Sequence, residues 1–467
     1  MVLLPSAART ETIDKEQRDV SASQLNRLTD DRIPQARRSI CTVAPDGGND
    51  AARRLEGERP DETVADRAAR AIVLWLLEKF LDSGGITIED GARRYVFGSG
   101  NPDGLGRTPL DARIVVRHPG LWRKALTGGS AGLGEAYMNA WWDSDDLPGA
   151  LRLLSRIVRR SDPARNRIDR ITRSDRVLRL RSSDSVRDRR NIRAHYDLGN
   201  DFFELFLDET MMYSSAIFPC WDTPLAQAST HKLDLLCRRL DLTPRDRVVE
   251  IGTGWGGFAV HAAKNYGCRV TTTTISDKQY EYARERVRRA GLANRVTVLQ
   301  DDYRELSGRY DKLASIEMIE AVDWRDYETF FSTCRRLLHP NGILGMQAIV
   351  IEPQRFQRAK TTQDFIKQFI FPGGCLPSTD AMLNAATRSG DLSLTSLDDY
   401  GVHYAETLRR WRAAFNDHRD RLPALGFGEA FARMWDFYLA YCEAAFNERS
   451  VSVVQLTMAG PGWLPRS

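Results

Sequence analysis

A chain of 467 residues is long enough for two or three domains, each with a sizeable core. Its 67 Lys and Arg stand against 63 Asp and Glu, and a net charge of +4 excludes a strongly basic nucleic-acid binder by bulk charge, though not a local patch. The seven cysteines are scattered, odd in number and without a C-x-x-C pair, which argues for a reducing compartment and against a disulfide scaffold or a zinc site.

Residues 1–66 are rich in Arg, Asp, Ser and Ala, lack a sustained period, and read as a disordered N-terminal extension. Residues 67–150 read as a small α+β domain. Within it Ala68–Leu81 carries apolar residues at helical spacing, Ile86–Ile88, Arg94–Phe97 and Ala112–Val116 read as strands, and Trp141 and Trp142 read as core rather than a ligand cage. The apolar run Ala71–Leu77 is far shorter than the roughly 20 residues of a spanning helix, and no apolar stretch of signal-peptide type opens the chain. A cytoplasmic protein with at most peripheral membrane contact is the expectation.

Residues 151–190 form an arginine-rich linker. Arg152–Arg193 holds 15 arginines against 5 aspartates. Such a run is either a solvated linker or a surface for anionic lipid head groups, where each basic residue contributes about 1 kcal/mol. Nucleic acid is disfavoured, because the segment lacks the aromatics that stack bases.

From residue 191 to 467 a second domain alternates helix and strand. Helices are expected at His231–Leu240, Gly256–Asn265, Lys278–Arg289 and Trp324–Leu337, and an amphipathic stretch at Phe202–Leu207. Strands are expected at Arg247–Ile251, Arg269–Ile275, Val296–Leu299, Lys312–Ile316 and Ile343–Ile351. That alternation predicts an α/β, doubly wound parallel sheet with ligands at the C-terminal strand edges. Gly252–Gly257, Thr274-Ile275, Asp301–Tyr303 and Glu317–Glu320 then surround one crevice.

The stretch Val248–Gly257, VVEIGTGWGG, runs strand, glycine turn, helix. Gly252, Gly254 and Gly257 satisfy G-x-G-x-x-G, a pattern shared by NAD, FAD and S-adenosylmethionine (SAM) folds. Two features favour SAM. Glu250 precedes the turn, where it can meet the positive end of an amino acid ligand. The second strand ends in Thr274 and Ile275 without the acid a dinucleotide ribose requires, and Gln279 can bond the ribose hydroxyls instead.

Six ordered stretches then accumulate: HYDLGND (His195–Asp201), MMYSSAIF (Met211–Phe218), IGTGWGG (Ile251–Gly257), SIEMIEAV (Ser315–Val322), FPGGCLPS (Phe371–Ser378) and HYAETLRRW (His403–Trp411). Together they resemble the cyclopropane-fatty-acyl-phospholipid synthase family, which includes mycolic acid cyclopropane synthases and oleate C-methylases. The likeness runs from about Ala68 to the C-terminus. It includes GLGEAYMNAWWDSD (Gly132–Asp145), similar to the family's lipid-binding N-terminal domain.

The resemblance implies a Rossmann-like SAM methyltransferase acting on the cis double bond of unsaturated phospholipid acyl chains. The product would be a cyclopropane or, by the same carbocation, a methylene or methyl branch. It implies SAM contacts at Tyr213, Ser214, Gly252, Gly254, Thr274, Ile275, Gln279 and Ile316, with Asp302 and Tyr303 near the adenine. It also implies a bound bicarbonate as base, held by Glu320, Tyr404 and the backbone of Ile349. Two positions depart from the family: Ser215 stands for a cysteine and Gln347 for a histidine, each still able to donate a hydrogen bond. Trp255, Phe258, Phe369 and Phe371 are acyl-channel candidates. A homodimer stays open as the assembly.

A methyltransferase for a small metabolite or nucleic acid is one alternative. Against adenine, Glu317-Met318-Ile319-Glu320 lacks the Asn/Asp-Pro-Pro-aromatic clamp. A non-catalytic lipid-binding relative is the other, and retention of Glu320, Tyr404 and the glycine turn argues against it.

Overall fold

The computed structural model of the chain describes residues 60–98, 109–172 and 198–465, with helix backbone alone over 161–172. The expected disorder of residues 1–66 lies outside the described residues as far as residue 59, as do the side chains of Arg165–Arg193 and the motif residues His195–Asp197. Residues 60–66, by contrast, are described, and 64–66 are already helical, which corrects that boundary.

The first helix, α1 (Val64–Phe80), starts ahead of the expected Ala68 because Thr63 and Asp66 form a reciprocal capping box. Four strands follow: β1 (Gly85–Asp90), β2 (Arg93–Gly98), β3 (Asp111–Val116) and β4 (Trp142–Ser144). They lie in the order β2-β1-β3-β4, with β1 and β3 parallel. Alternation along β1 sends Ile86, Ile88 and Asp90 inward, and Asp90 accepts from Trp122 Nε1 at 3.2 Å. Helices α2 (Leu121–Met138) and α3 (Leu147–Thr172) complete this layer. Trp142 is fully buried and donates to the Leu133 carbonyl, while Trp141 stacks on His118, so both are packing residues as expected.

The large sheet has seven strands in the order β10-β11-β9-β8-β5-β6-β7. These are β5 (Arg247–Ile251), β6 (Arg269–Thr273), β7 (Val296–Leu299), β8 (Tyr310–Ile316), β9 (Leu338–Ile351), β10 (Ser393–Asp399) and β11 (Val451–Ala459). Strands β5 to β9 are parallel, as their alternation with helices predicts. The two C-terminal strands have no counterpart in the sequence reading. β11 runs antiparallel between β9 and β10, and its register sets Gln455 opposite Gln347.

Intervening helices are α4 (Leu225–Arg239), α5 (Gly257–Tyr266), α6 (Asp277–Arg289) and α7 (Tyr327–Leu337). The last was expected to begin at Trp324, where a 3-10 turn stands instead, capped by the Asp323 side chain. After β9 come α8 (Thr379–Gly390), α9 (Gly401–Asp417) and α10 (Glu429–Asn447). The chain winds outward from β5 to β7, then returns to β8 on the other side. Strand ends diverge at that switch point and open a crevice between β5 and β8.

The two sheets share a core. Ile86, Trp142, Phe203, Trp411 and Phe437 belong to one buried cluster. Tyr137 on α2 donates to Asp436 on α10 at 2.9 Å, and Arg433 reaches back to the Trp142 carbonyl. At Gly134 a Cβ would lie 2.2 Å from the Phe365 ring, so this contact needs glycine for proximity alone. No helix among the described residues is long and apolar enough to cross a membrane.

Candidate active site

The crevice holds a cavity of about 180 Å³. Of the residues expected to bind SAM, Tyr213, Ser214, Glu250, Gly252, Gly254, Thr274, Ile275, Gln279, Asp302, Tyr303 and Ile316 all line it. The glycine turn bends through φ +97° at Gly252 and +50° at Gly254, a region open to glycine without a Cβ clash. A Cβ at Gly254 would meet no atom within 4 Å and would project into open space. The backbone there is therefore free for close approach by a ligand.

Glu250 is buried, and its carboxyl accepts from Thr272 Oγ1 at 2.6 Å, which in turn pairs with Thr253 Oγ1 at 2.7 Å. Burial pushes Glu250 up to about 8, with the Thr272 hydrogen bond opposing. β6 ends at Thr273, short of the expected Ile275, because Ser276 caps α6. Thr274 Oγ1 then donates to Gln279 Oε1 at 2.9 Å, which fixes the amide at the rim. Asp302 is held by Arg304 at 2.7 Å, so its carboxylate is already engaged in an ion pair. A SAM-sized cationic amino acid fits this donor and acceptor set: an acid at the strand end, an amide beyond it and an open glycine turn.

Trp255 and Phe258 also line the cavity, with Trp255 Nε1 donating to Asn200 at 2.8 Å. Phe369 and Phe371 pack instead on Phe365 and Tyr438, at centroid distances of 5.2 and 6.3 Å.

On the β8 side of the same cavity stands Glu317, which the sequence reading left without a role. It sits just past the end of β8 at φ +49°, unusual for a residue with a Cβ. Its Oε1 accepts from the Ser215 backbone N–H at 2.9 Å and from Gln347 Nε2 at 2.7 Å. Its Oε2 accepts from the Tyr404 hydroxyl at 2.9 Å. The structure thus does bring Ser215, Gln347 and Tyr404 together, but around Glu317.

The Ser215 hydroxyl was expected to donate into the site, yet it turns to the Ala216 carbonyl at 2.9 Å and leaves the backbone N–H as donor. Ile349 N–H goes to Glu320 Oε1 rather than to a free ligand, while Glu320 Oε2 is buried without a partner.

Two more residues escaped the sequence reading. Gln455 Nε2 donates to Gln347 Oε1 at 3.0 Å, forcing the Gln347 amide to present its N–H₂ to Glu317. Lys232 on α4 is fully buried, donates to Ser214 Oγ, and lends positive charge to Glu317. Burial raises Glu317, whereas Lys232, Gln347, Ser215 and Tyr404 all favour its ionised form. Glu320 is pushed up to about 8, by burial first and then by the charge of Glu317. The two carboxyls therefore share one buried site, in which burial raises both and the Glu317 charge is a further cause of the rise at Glu320.

Bicarbonate does not fit this arrangement. The Tyr404, Gln347 and Ser215 donors that would hold it are all engaged by the Glu317 carboxyl group, which takes the place between them. The expected role of these residues as a bicarbonate cradle is corrected accordingly. Among the described residues no group of acid, His or Cys side chains is placed to hold a metal.

Fold and cleft together define a SAM-methyltransferase-like α/β protein. The comparisons make the assignment narrower. Residues 183–456 match the model of the family described as mycolic acid cyclopropane synthetase. Tuberculostearic acid methyltransferase UfaA1 of Mycobacterium tuberculosis is 38% identical over 379 residues, 79% of this chain and 88% of that protein. The cyclopropane-fatty-acyl-phospholipid synthase of Escherichia coli is 33% identical over 360 residues, 76% and 89% of the two chains. Mycolic acid cyclopropane synthase CmaA1, solved with SAH and CTAB, superposes with a TM-score of 0.54 at 30% identity, covering 58% of this chain and 98% of that one. The chain belongs to the mycolic acid cyclopropane synthetase family.

Proposed function

We propose that the chain transfers a methyl group from SAM to a carbon of a cis double bond in an unsaturated phospholipid acyl chain and forms a cyclopropane fatty acid. The observation that carries this reading is a glycine-turn cleft whose opposite wall is a hydrogen-bonded carboxyl group, Glu317, with Tyr213, Trp255 and Phe258 among the lining residues. SAM, when bound, supplies an electrophilic methyl.

The chain's own residues supply the rest. Glu250, Gly252, Gly254, Thr274 and Gln279 would hold the cofactor, with Asp302 and Tyr303 toward its base. An alkene is a weak nucleophile, so its double bond must be held in line in a dry site. Tyr213 and Trp255 line the cleft, and aromatic rings there can stabilise a carbocation on the acyl chain. Tyr213 is fixed by a hydroxyl contact of 2.9 Å to Tyr438 and by edge packing on Phe203.

A methylene-branched product is the second reading, favoured by the relative named for a methyltransferase at 38% identity. Both products have the same composition, and the methylene branch differs in that a hydride shifts from the methylated carbon to the cationic carbon before the methyl proton leaves. A saturated methyl branch would further require a separate hydride donor.

The test is incubation with methyl-labelled SAM and vesicles of cis-unsaturated phospholipid, followed by mass analysis of the released acyl chains. Label in acyl chains extended by one CH₂ and resistant to hydrogenation as an alkene supports the cyclopropane. An alkene carrying the label selects the branch, and label absent from all acyl chains overturns both.

Peripheral docking on anionic lipid belongs to the same proposal. Its electrostatic support is smaller than the arginine count suggests, since Arg152 and Arg156 pair with Glu448, Arg159 with Glu352 and Arg160 with Asp82.

A further inference from the structure

We propose that Glu317 is itself the proton acceptor of the methylation, a carboxylate built into the chain in the place of a recruited soluble anion. The inference deepens the function proposed above and rests on it.

Three observations converge. First, the carboxylate is received as a bound anion would be: Ser215 N–H and Gln347 Nε2 meet one oxygen at 2.9 and 2.7 Å, and the Tyr404 hydroxyl meets the other at 2.9 Å. These donors come from three distant segments, and each is oriented by its own neighbour. Gln455 fixes the Gln347 amide, and Phe446 packs on the Tyr404 ring at 4.5 Å between centroids. Charge-assisted bonds of this kind are the stronger ones.

Second, the backbone of Glu317 is held left-handed at φ +49°, which costs a residue with a Cβ about 1–2 kcal/mol. Such strain persists where the surroundings over-determine the position, and here it aims the side chain. The hydrogen bond from the Glu317 N–H to the Gln347 carbonyl at 2.8 Å secures the turn. Third, Glu317 lines the same cavity as Tyr213, Gly252 and Ile316, the cleft in which the reacting groups would meet. Burial raises its basicity, and the buried charge of Lys232 works against that rise, in favour of the carboxylate.

The step balances as follows. Methyl transfer leaves a cation on the acyl carbon next to the new C–C bond. A C–H bond of the transferred methyl breaks, its electron pair closes the third side of the ring, and the proton passes to a Glu317 oxygen. The acyl chain returns to neutrality as the carboxylate becomes a carboxyl. A shift of hydride from the methylated carbon to the cationic carbon, followed by loss of a methyl proton to the same acceptor, gives the methylene branch. The carboxyl then returns its proton to solvent through the cleft before the next turnover.

The test uses the full-length protein and two substitutions. Glu317→Gly keeps the left-handed turn, which suits glycine, and frees all three donors. Glu317→Gln keeps the shape and removes the base. Wild-type turnover on unsaturated phospholipid vesicles should be the same in bicarbonate-free and bicarbonate-containing buffer. Both variants should lose about 10²-fold or more in turnover while SAM affinity by calorimetry stays within about threefold, the pattern expected for lost proton transfer.

Added bicarbonate should restore Glu317→Gly and leave Glu317→Gln inactive. NMR with isotopically labelled bicarbonate should show binding to Glu317→Gly and none to the wild type. A wild type that needs bicarbonate, or binds it, overturns the inference while leaving the methyltransferase reading intact. So does a Glu317→Gly variant that is fully active without bicarbonate, or one that neither binds bicarbonate nor recovers with it. A wild type that binds SAM yet labels no acyl chain overturns the functional reading instead, and with it the role given to Glu317.

Discussion

The two walls of the cleft are built on different principles. The β5 wall is local: strand, glycine turn and helix are contiguous, and its shape follows from backbone conformation at Gly252 and Gly254. The β8 wall is assembled. Ser215, Lys232, Glu317, Gln347, Tyr404 and Gln455 span 240 residues of chain and meet only because β9 pairs with β11 and α9 packs alongside. A contiguous wall offers backbone to a ligand and tolerates no added bulk. An assembled wall offers side-chain charge and depends on every partner's orientation. The first should therefore fail in binding and the second in turnover, and substitutions on each side test that division.

The largest binding effect is expected at the glycine turn. Gly254→Val sends a branched side chain into the open space the turn encloses and adds strain at φ +50°. Calorimetry should show SAM affinity reduced by more than about 10²-fold, near 3 kcal/mol. Gly254→Ala separates the causes, since it carries most of the backbone strain with little of the bulk. Unchanged affinity in a folded Gly254→Val variant would remove the turn from the SAM site.

On the assembled wall, Tyr404→Phe deletes one hydrogen bond to Glu317 and leaves the ring packed on Phe446. Bonds to charged groups contribute about 1.5–3 kcal/mol, so turnover should fall roughly 10- to 100-fold with SAM affinity little changed. A fall in SAM affinity of the same size would show that the two walls do not divide the work.

Glu250 gives the β5 wall a pH dependence of its own. Its pKa near 8 means that it holds a proton at neutral pH. A cationic amine bound against it favours the ionised form and lowers that pKa, so binding at pH 7 should release a proton. Affinity should then rise with pH, by at most about tenfold per unit, and level off above about 8. The amine of SAM titrates in a similar range, so the difference between wild type and Glu250→Gln isolates the carboxyl. Equal proton release in both, read from calorimetry in buffers of different ionisation enthalpy, would place the amine elsewhere.

How much was legible follows the same division. The glycine turn and the five parallel strands could be read because period, propensity and φ preference are local properties. The family resemblance reached Glu320, Tyr404, Ser215 and Gln347, and the structure gathers the last three around Glu317, with Glu320 bonded to the Ile349 N–H instead. It did not reach Glu317, although SIEMIEAV carries it, because nothing local to the sequence states that this glutamate turns left-handed into the cleft. Lys232 looks like any basic residue on an amphipathic helix, and its burial is decided by packing from β9 and β11. Gln455 matters only through its register with Gln347, and a strand read in isolation has no register. The arginines of α3 show the reverse error: their excess reads as free charge until Glu448, Glu352 and Asp82 arrive from other segments.

The smallest effect is expected at Glu320, the acid that the family pattern would rank first. Its pKa of about 8, raised by burial and by the Glu317 charge, leaves it neutral at pH 7. Glutamine is a close neutral replacement, and its carbonyl oxygen can still accept the Ile349 N–H. Turnover of Glu320→Gln at pH 7 should therefore remain within about threefold of wild type, less than 1 kcal/mol in the barrier. Glu320→Ala should cost more, because it orphans the Ile349 N–H in a buried site.

The sign of the pH dependence gives a second check. Above about pH 8 the wild-type Glu320 ionises beside Glu317, and the added negative charge raises the energy of the ionised pair. Wild-type activity should then depart from that of Glu320→Gln on the alkaline side and match it on the neutral side. A collapse of Glu320→Gln at pH 7 as deep as that of Glu317→Gln would make Glu320 the base. The assembled wall would then work through the outer carboxyl, with Glu317 as its structural support.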